Sequence, residues 1–328
     1  MKILIIRLSS IGDIILTTPI LKQLKIKYPN ITIDFLVMKN FKESISELPY
    51  IDNLIVFDKN KHDSLKNLIH FGKELSKNNY DYVFDLHNKL RSFIISKNIN
   101  SKVLIYPKRK LWKSILVKLR IIKYHADDTI IKNYFKPFHF LDLKYDYEDL
   151  TFSFSKNDLK NVSKYSSCFV MAPGASKETK KWTIEGFGML AKMLYEKYQI
   201  KTILIGGNVD SSRCKKINEI SENNCINLAG KLSLKESGAL LSVSKLLITN
   251  DSGPFHISRG VKCPTYAIFG PTDPGMFEFD KQNRLIYSNI ECSPCSLHGD
   301  AKCPKKHFKC MKNITANLIF KKIEKDFI

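Results

Sequence analysis

The stretch MKILIIRLSSIGDIILTTPILKQLKIKY (residues 1–28) decides the fold. Its opening run, Ile3 to Ile6, is short and apolar throughout, which suits a strand of a parallel sheet covered on both faces rather than a half-solvated one. From Ile14 onward the apolar residues recur at helical spacing. Between strand and helix lies a polar turn, Arg7-Leu8-Ser9-Ser10-Ile11-Gly12-Asp13. Strand, polar turn and helix in this order form one unit of a doubly wound α/β domain. The charged Arg7 breaks the apolar run and no small-residue cleavage site follows, so the N-terminus reads as a buried first strand and not as a signal peptide.

The same unit repeats outward from this stretch. Further apolar runs stand at 31–37 (ITIDFLV), 54–57 (LIVF), 82–86 (YVFDL) and 103–106 (VLIY), with helical patterns between them. From about residue 168 the pattern restarts with CFVMA, TILIG (202–206), LLIT (246–249) and TYAIF (265–269). The segment from Asp142 to Ser167 is polar and without period, as a linker would be. A chain of 328 residues is long for one domain and comfortable for two. The expected architecture is α/β, two Rossmann-like doubly wound parallel-sheet domains facing a cleft. Their expected bounds are 1–150 and 168–313, with a terminal helix over 314–328. Ligands of open α/β sheets bind beyond the carboxyl ends of the strands, so the residues that follow each apolar run are the ones to read.

After the first strand, Ser10 and Gly12 at a helix start offer hydroxyl and backbone N–H groups to a polar ligand. The glycine triplet of a dinucleotide fingerprint is missing there, which disfavours a nicotinamide-dependent dehydrogenase. Asp13 has two readings: a first-turn charge favoured by the helix dipole, or a general base aimed at substrate. In the second half, Ala172-Pro173-Gly174-Ala175-Ser176 followed by Lys177 to Trp182 is either a basic surface loop or a cradle for a diphosphate. Gly206 and Gly207 close another strand where backbone must approach closely. Asn250-Asp251-Ser252-Gly253 follows a strand and precedes a helix opening near Pro254. The N–H groups of Ser252 and Gly253 suit a phosphate and Asp251 suits sugar hydroxyls, while either Asp251 or Ser252 equally suits a helix cap.

Taken together in their order and spacing, RLSSIGD with TTPILKQLK, YDYVFDLHNKLRS, APGASKETKKWTIEGF, NLAGKLSL, NDSGPFHISRG and IFGPTDP resemble the ADP-heptose:lipopolysaccharide heptosyltransferases over essentially the whole chain. The resemblance implies a GT-B glycosyltransferase with acceptor on the N-terminal domain and nucleotide-sugar donor on the C-terminal one. It implies that Asp13 is the catalytic base of a single inverting displacement on ADP-heptose and that Lys180 neutralises the departing ADP. It also implies donor contacts at Ser176, Asn227, Asp251, Ser252 and Gly253, and acceptor contacts at Ser10, Gly12 and Arg91. Pro254 and Phe255 stand where many relatives carry other apolar residues, and Asn227 where some carry a carboxylate. No cofactor is required by such a reaction; another nucleotide-activated sugar would fit the same phosphate motifs.

A hydrophobic content of 44% with 26% charged residues is a folded composition, and no apolar run reaches 18 residues, so nothing is expected to span a membrane. The chain should therefore be cytoplasmic. The net charge of +21 fits nucleic acid, an anionic membrane surface, phosphorylated substrates, or a general excess of Lys. Residues 107–125, PKRKLWKSILVKLRIIKYH, are basic and place Leu111, Trp112, Ile115, Leu116, Leu119 and Ile122 on one helical face. That pattern is either a domain helix with its apolar face inward or an element resting on the inner face of the inner membrane, beside a lipid-anchored acceptor. Nucleic acid is not expected as a partner, because no RNA-binding aromatic motif or recognition helix is present; a basic, zinc-stapled nucleic-acid-binding protein is the alternative from another functional class. Cys292, Cys295, Cys303 and Cys310, with His298 and His307 among them, have metal-ligand spacing. Structural zinc, reduced thiols and a redox role all stay open.

Overall fold

The computed structural model describes residues 1–107, 116–117, 121–123, 125–147 and 149–327. The chain divides into two compact units, one of Met1–Arg109 with Asp128–Ser153 and one of Lys110–Asp127 with Phe154–Ile328.

In the first unit five strands, β1 (Lys2–Ile6), β2 (Thr32–Met38), β3 (Asn53–Phe57), β4 (Tyr82–Asp85) and β5 (Lys102–Ile105), form one sheet in the order β3-β2-β1-β4-β5. Every pairing is parallel. The central strand β1 is buried from Ile3 to Ile6, while the edge strands β3 and β5 are largely half-exposed. That gradient explains why the central runs read as uninterrupted apolar stretches. Leu4, Ile6, Leu36 and Val83 pack with Leu68, Leu75 and Ile95 from the helices Leu65–Ser76 and Leu90–Lys97.

The second unit carries β6 (Phe169–Ala172), β7 (Thr202–Leu204), β8 (Cys225–Asn227), β9 (Leu246–Asn250), β10 (Thr265–Phe269) and β11 (Asn283–Tyr287). They pair in the order β11-β10-β9-β6-β7-β8, again all parallel. Counted from β6, this is the 3-2-1-4-5-6 order of the dinucleotide-binding fold. The two sheets are thus doubly wound and Rossmann-like, as the repeated βα pattern led one to expect. Trp182 is fully buried in this unit's core with Phe187, Leu190, Ile248 and Ile268, and its indole N–H donates to the Ile314 carbonyl at 2.9 Å. Truncating so large a buried side chain costs about 3–5 kcal/mol. The terminal helix Ala316–Phe327 buries Ile319 and Ile323, one turn apart, in the same core.

Three features depart from the sequence reading. β8 and β11 lie at opposite edges of the second sheet, and neither reads as an apolar run: one is three residues long and the other begins Asn283-Arg284. The polar segment 142–167 is not simply irregular. It holds the helix Lys156–Val162, opened by Ser155, whose hydroxyl accepts from the Asp158 N–H at 3.1 Å. A helix of two turns is too short to show a period. Of the expected amphipathic helix, Leu111, Trp112, Ile115 and Leu119 lie outside the described residues; Leu116 and Val117 are helical, and Ile121 is 65% exposed. No helix among the described residues is long and apolar enough to cross a membrane.

Candidate functional site

Each sheet reverses its strand order once, between β1 and β4 in the first unit and between β6 and β9 in the second. Such switch points leave a crevice beyond the carboxyl ends of the two strands, where ligands of doubly wound folds bind. The sequence-predicted residues sort onto or next to these four loops, except Asn227, which ends the edge strand β8. Ser10, Gly12 and Asp13 follow β1, and Arg91 lies in the helix that follows β4. Ser176 and Lys180 follow β6, and Asp251, Ser252 and Gly253 follow β9.

At the end of β1, Asp13 sits in the first turn of the short helix Ile11–Ile15. Its Oδ2 pairs with the Arg7 guanidinium at 2.7 Å and accepts from the Ser10 hydroxyl at 2.9 Å and the Ser10 N–H at 3.3 Å. Its Oδ1 accepts from the Tyr134 hydroxyl at 3.0 Å. Asp13 is therefore both a helix-start charge and a carboxylate with one oxygen lightly engaged. Burial pushes its carboxyl up, but the charge of Arg7 and the hydrogen bonds from Ser10 and Tyr134 outweigh it and hold it down at about 2. Arg7 is itself buried, donates to the Leu86 carbonyl beyond β4, and has Tyr134 5.3 Å from its guanidinium. Ser10 and Arg91 are exposed and Gly12 is buried within the helix. The turn after β4 is held by Asp85, whose Oδ1 accepts from the N–H groups of His87 and Asn88 at 2.9 and 2.8 Å.

In the second unit the centre is an ion pair. Lys180 Nζ lies 2.7 Å from Asp251 Oδ2, their side chains 12% and 7% exposed, and Thr272 donates its hydroxyl to the same oxygen at 2.9 Å. The loops after β6 and β9 are tied together by Asn250. Its Oδ1 accepts from the Trp182 N–H at 2.9 Å, and its Nδ2 donates to the Pro173 and Gly174 carbonyls at 2.9 and 3.3 Å. Ser252 stands at the N-cap position of the helix Gly253–Gly260 with extended backbone but makes no side-chain cap hydrogen bond. Its hydroxyl donates to the Asn250 carbonyl at 3.3 Å, and Pro254 occupies the first turn of the helix. The first-turn N–H groups at Ser252 and Gly253 have no intrahelical acceptor, which is the arrangement that receives a phosphate. Ser176 is exposed in the loop after β6. Asn227 is occupied locally: its Oδ1 accepts from the Ala229 N–H at 3.0 Å and its Nδ2 donates to the Ser211 carbonyl at 3.4 Å.

The model of the family described as glycosyltransferase family 9 (heptosyltransferase) matches residues 68–306. The chain belongs to glycosyltransferase family 9. It is 28% identical over 331 residues to lipooligosaccharide heptosyltransferase 2 of Campylobacter jejuni, covering 99% of each chain. It is 31% identical over 294 residues to lipopolysaccharide heptosyltransferase 1 of Campylobacter coli, covering 83% of this chain and 84% of that one. Among solved structures it is similar in fold to the E. coli ADP-heptose lipopolysaccharide heptosyltransferase II, with a TM-score of 0.77, 18% identity and coverage of 99% and 98%. The enzyme is a glycosyltransferase, and its fold is that of the GT-B heptosyltransferases.

Several residues of this family 9 enzyme bear on the site without having been read from the sequence. Arg7 and Tyr134 engage Asp13, and Thr272 engages Asp251. A buried Arg at a strand end demands a partner, so Arg7 was legible in principle; Tyr134 and Thr272 carry no such signal. The cysteine-bearing loop is also applied to the Lys180 segment. Thr179 donates its N–H and hydroxyl to the Asp300 carbonyl at 3.1 and 3.0 Å, and accepts from the Asp300 N–H at 2.7 Å. Gly299, at φ +78°, lies so close to Lys180 that a Cβ there would stand 2.7 Å from its Cγ.

Among the described residues the eight cysteines form no disulfide with one another. Burial pushes the thiols of Cys214 and Cys263 up to about 12 and that of Cys225 to about 11, as expected of inert core thiols. Cys292, Cys295, Cys303 and Cys310 line one cavity of about 340 Å³ with His307 and the apolar Val117 and Ile121. Cys292 Sγ is 3.8 Å from His307 Nε2. Among the described residues no group of three or more His, Cys, Asp or Glu side chains is gathered to hold a metal ion.

Proposed function

We propose that this enzyme transfers heptose from ADP-heptose to the inner core of lipopolysaccharide, a lipid A-Kdo or heptosyl acceptor, with inversion at the anomeric carbon. The observation that carries this reading is the pairing of Lys180 with Asp251 beside the open first turn of the Gly253–Gly260 helix, at a sheet switch point. The first unit takes the acceptor and the second takes the donor.

In the proposed reaction the acceptor hydroxyl loses its proton to Asp13 as its oxygen bonds to the anomeric carbon. The bond from that carbon to the β-phosphate oxygen breaks, and ADP departs with the electron pair. An ammonium has three N–H donors. Lys180 uses one on Asp251, which leaves two for the diphosphate, where they stabilise the growing charge without a metal. The N–H groups of Ser252 and Gly253 and the hydroxyl of Ser176 bind the same phosphates. Asp251 lies near the donor sugar and Asn227 near the ribose. Ser10, Gly12 and Arg91 receive the anionic acceptor.

The enzyme works on the inner face of the inner membrane as a peripheral protein. The basic stretch 107–125 and the exposed Ile121 support this reading. Vesicles rich in anionic lipid should bind the protein at low salt and release it as salt rises; equal binding to neutral vesicles would remove the electrostatic part of the proposal.

Isothermal calorimetry with ADP, UDP, GDP and NAD in parallel tests the donor. Selective ADP binding supports it, and preference for UDP or GDP would change the sugar nucleotide while keeping the mechanism. Absence of binding to any nucleotide would overturn the assignment of the second unit.

A further inference from the structure

We propose that Arg7 and Tyr134 are positioning residues that divide the labour of the two Asp13 oxygens, leaving Oδ1 as the atom that takes the proton from the acceptor. The inference rests on the reading of Asp13 as the base. The geometry is unequal. Oδ2 accepts from three donors, the Arg7 guanidinium at 2.7 Å, the Ser10 hydroxyl at 2.9 Å and the Ser10 N–H at 3.3 Å. Among the described residues Oδ1 accepts from one, the Tyr134 hydroxyl at 3.0 Å. A carboxylate offers about four lone-pair sites over its two oxygens. Oδ2 is therefore saturated, while Oδ1 keeps a lone pair on a side chain that is 30% exposed.

The supports of this arrangement are themselves fixed. Arg7 donates through its other terminal nitrogen to the Leu86 carbonyl, and its backbone N–H donates to the Leu36 carbonyl at 3.1 Å. The guanidinium is thus spread between the base and the end of the neighbouring strand, a span that a single ammonium does not reproduce. Tyr134 is buried, with its ring 4.9 Å from that of Tyr106 and 5.3 Å from the Arg7 guanidinium. Among the described residues the charged and titratable groups facing Asp13 are then Arg7 from the end of β1 and Tyr134 from the helix Ile130–Phe135, with Tyr106 beside both. Arg7 keeps the carboxylate ionised, and Tyr134 fixes the plane of the carboxylate so that the open lone pair of Oδ1 has one direction.

A base held in this way is weak when the acceptor is still an alcohol. It becomes effective as the new bond to the anomeric carbon forms and the hydroxyl grows acidic. The proton then moves to Oδ1 late in the displacement, so the aim of the oxygen matters more than its resting basicity.

Tyr134→Phe removes one hydrogen bond and keeps the ring. It should lower kcat about tenfold with KM for donor and acceptor nearly unchanged, the size expected for losing a hydrogen bond to a charged group that acts in the transition state. Arg7→Met should lower kcat further. With the countercharge gone, burial is no longer outweighed, so an acid limb should enter the pH profile of kcat/KM above ~pH 4, where the wild-type enzyme has none. Arg7→Lys should restore the flat acid side and only part of kcat.

Thermal unfolding and ADP calorimetry of each full-length variant separate misfolding from loss of aim. If Asp13→Asn keeps wild-type turnover, the base itself is wrongly assigned. If Asp13→Asn is inactive while Tyr134→Phe and folded Arg7→Met retain wild-type kcat and a flat acid side, the positioning proposal fails and the base assignment survives.

Discussion

Replacing Lys180 by Met separates what the Lys180–Asp251 pair does for the fold from what it does for the donor. The pair is 2.7 Å long between side chains only 12% and 7% exposed. Met keeps the volume of the lysine stem but leaves the Asp251 carboxylate with the Thr272 hydroxyl as the hydrogen-bond donor on that oxygen. Orphaning a largely buried charge costs about 3 kcal/mol. For a unit of this size each kcal/mol moves the melting temperature by ~2–4 °C, so the variant should melt ~6–12 °C lower. Adding Asp251→Asn removes the orphaned charge and should return most of that loss. Donor affinity should behave differently. A charge-assisted contact to phosphate contributes about 2 kcal/mol, so Lys180→Met should weaken ADP binding about thirtyfold, and Asp251→Asn should not restore it. Differential scanning calorimetry and titration with ADP read the two quantities on the same samples. Wild-type ADP affinity in Lys180→Met, or recovery of affinity together with stability in the double variant, would refute the reasoning.

Other consequences follow from the same geometry. Asp13→Asn should abolish transfer and leave ADP binding near wild type, because the proposed role is in proton removal and not in donor affinity; calorimetry and a transfer assay check the two halves. The Asp13 carboxyl is depressed from its ordinary 3.8 to about 2, so its ionised form stabilises the fold fully above ~pH 4, and this contribution is lost as pH falls from about 4 to 2. The stability difference between wild type and Asp13→Asn should therefore shrink across that window and stay flat above it, as chemical denaturation at stepped pH will show. Gly299→Ala places a Cβ 2.7 Å from Lys180 Cγ and 3.0 Å from Lys177 Cβ at a φ of +78°. It should raise KM for the donor several-fold and cost about 1–3 kcal/mol of stability, measured by initial rates and thermal melts; unchanged KM would detach the cysteine-bearing loop from the donor site.

How much of this was legible in the sequence depends on where each residue stands in its sheet. β1 and β9 are buried along nearly their whole length, so their sequences ILII and LLIT are apolar runs with polar turns behind them. That is why the segments holding Asp13 and Asp251 read as strand ends in the sequence. The edge strands of the second sheet failed for the converse reason: Arg284 in β11 pairs with Asp326 at 2.6 Å, and its charge interrupts the apolar run. Ser155 and Asp158 carry a helix-start signal, but the helix they open is too short for its apolar spacing to register. Partners across the chain are the least readable. Nothing local in Lys180 points to Asp251, nor in Asp13 to Tyr134, because each partner stands on an element far away in the chain. The brace of Asp300 on Thr179 is of the same kind, and it gives the cysteine-rich loop a structural task that its CxxC spacing did not suggest.

The central claim is tested most directly by incubating the purified enzyme with ADP-heptose and a heptose-deficient lipid A-Kdo acceptor, with Asp13→Asn in parallel. Released ADP and the product are followed together by mass spectrometry and NMR. One heptose added per ADP released, with inverted anomeric configuration and no product from Asp13→Asn, is the predicted result. Release of ADP without a glycosylated product, or undiminished transfer by Asp13→Asn, would contradict it.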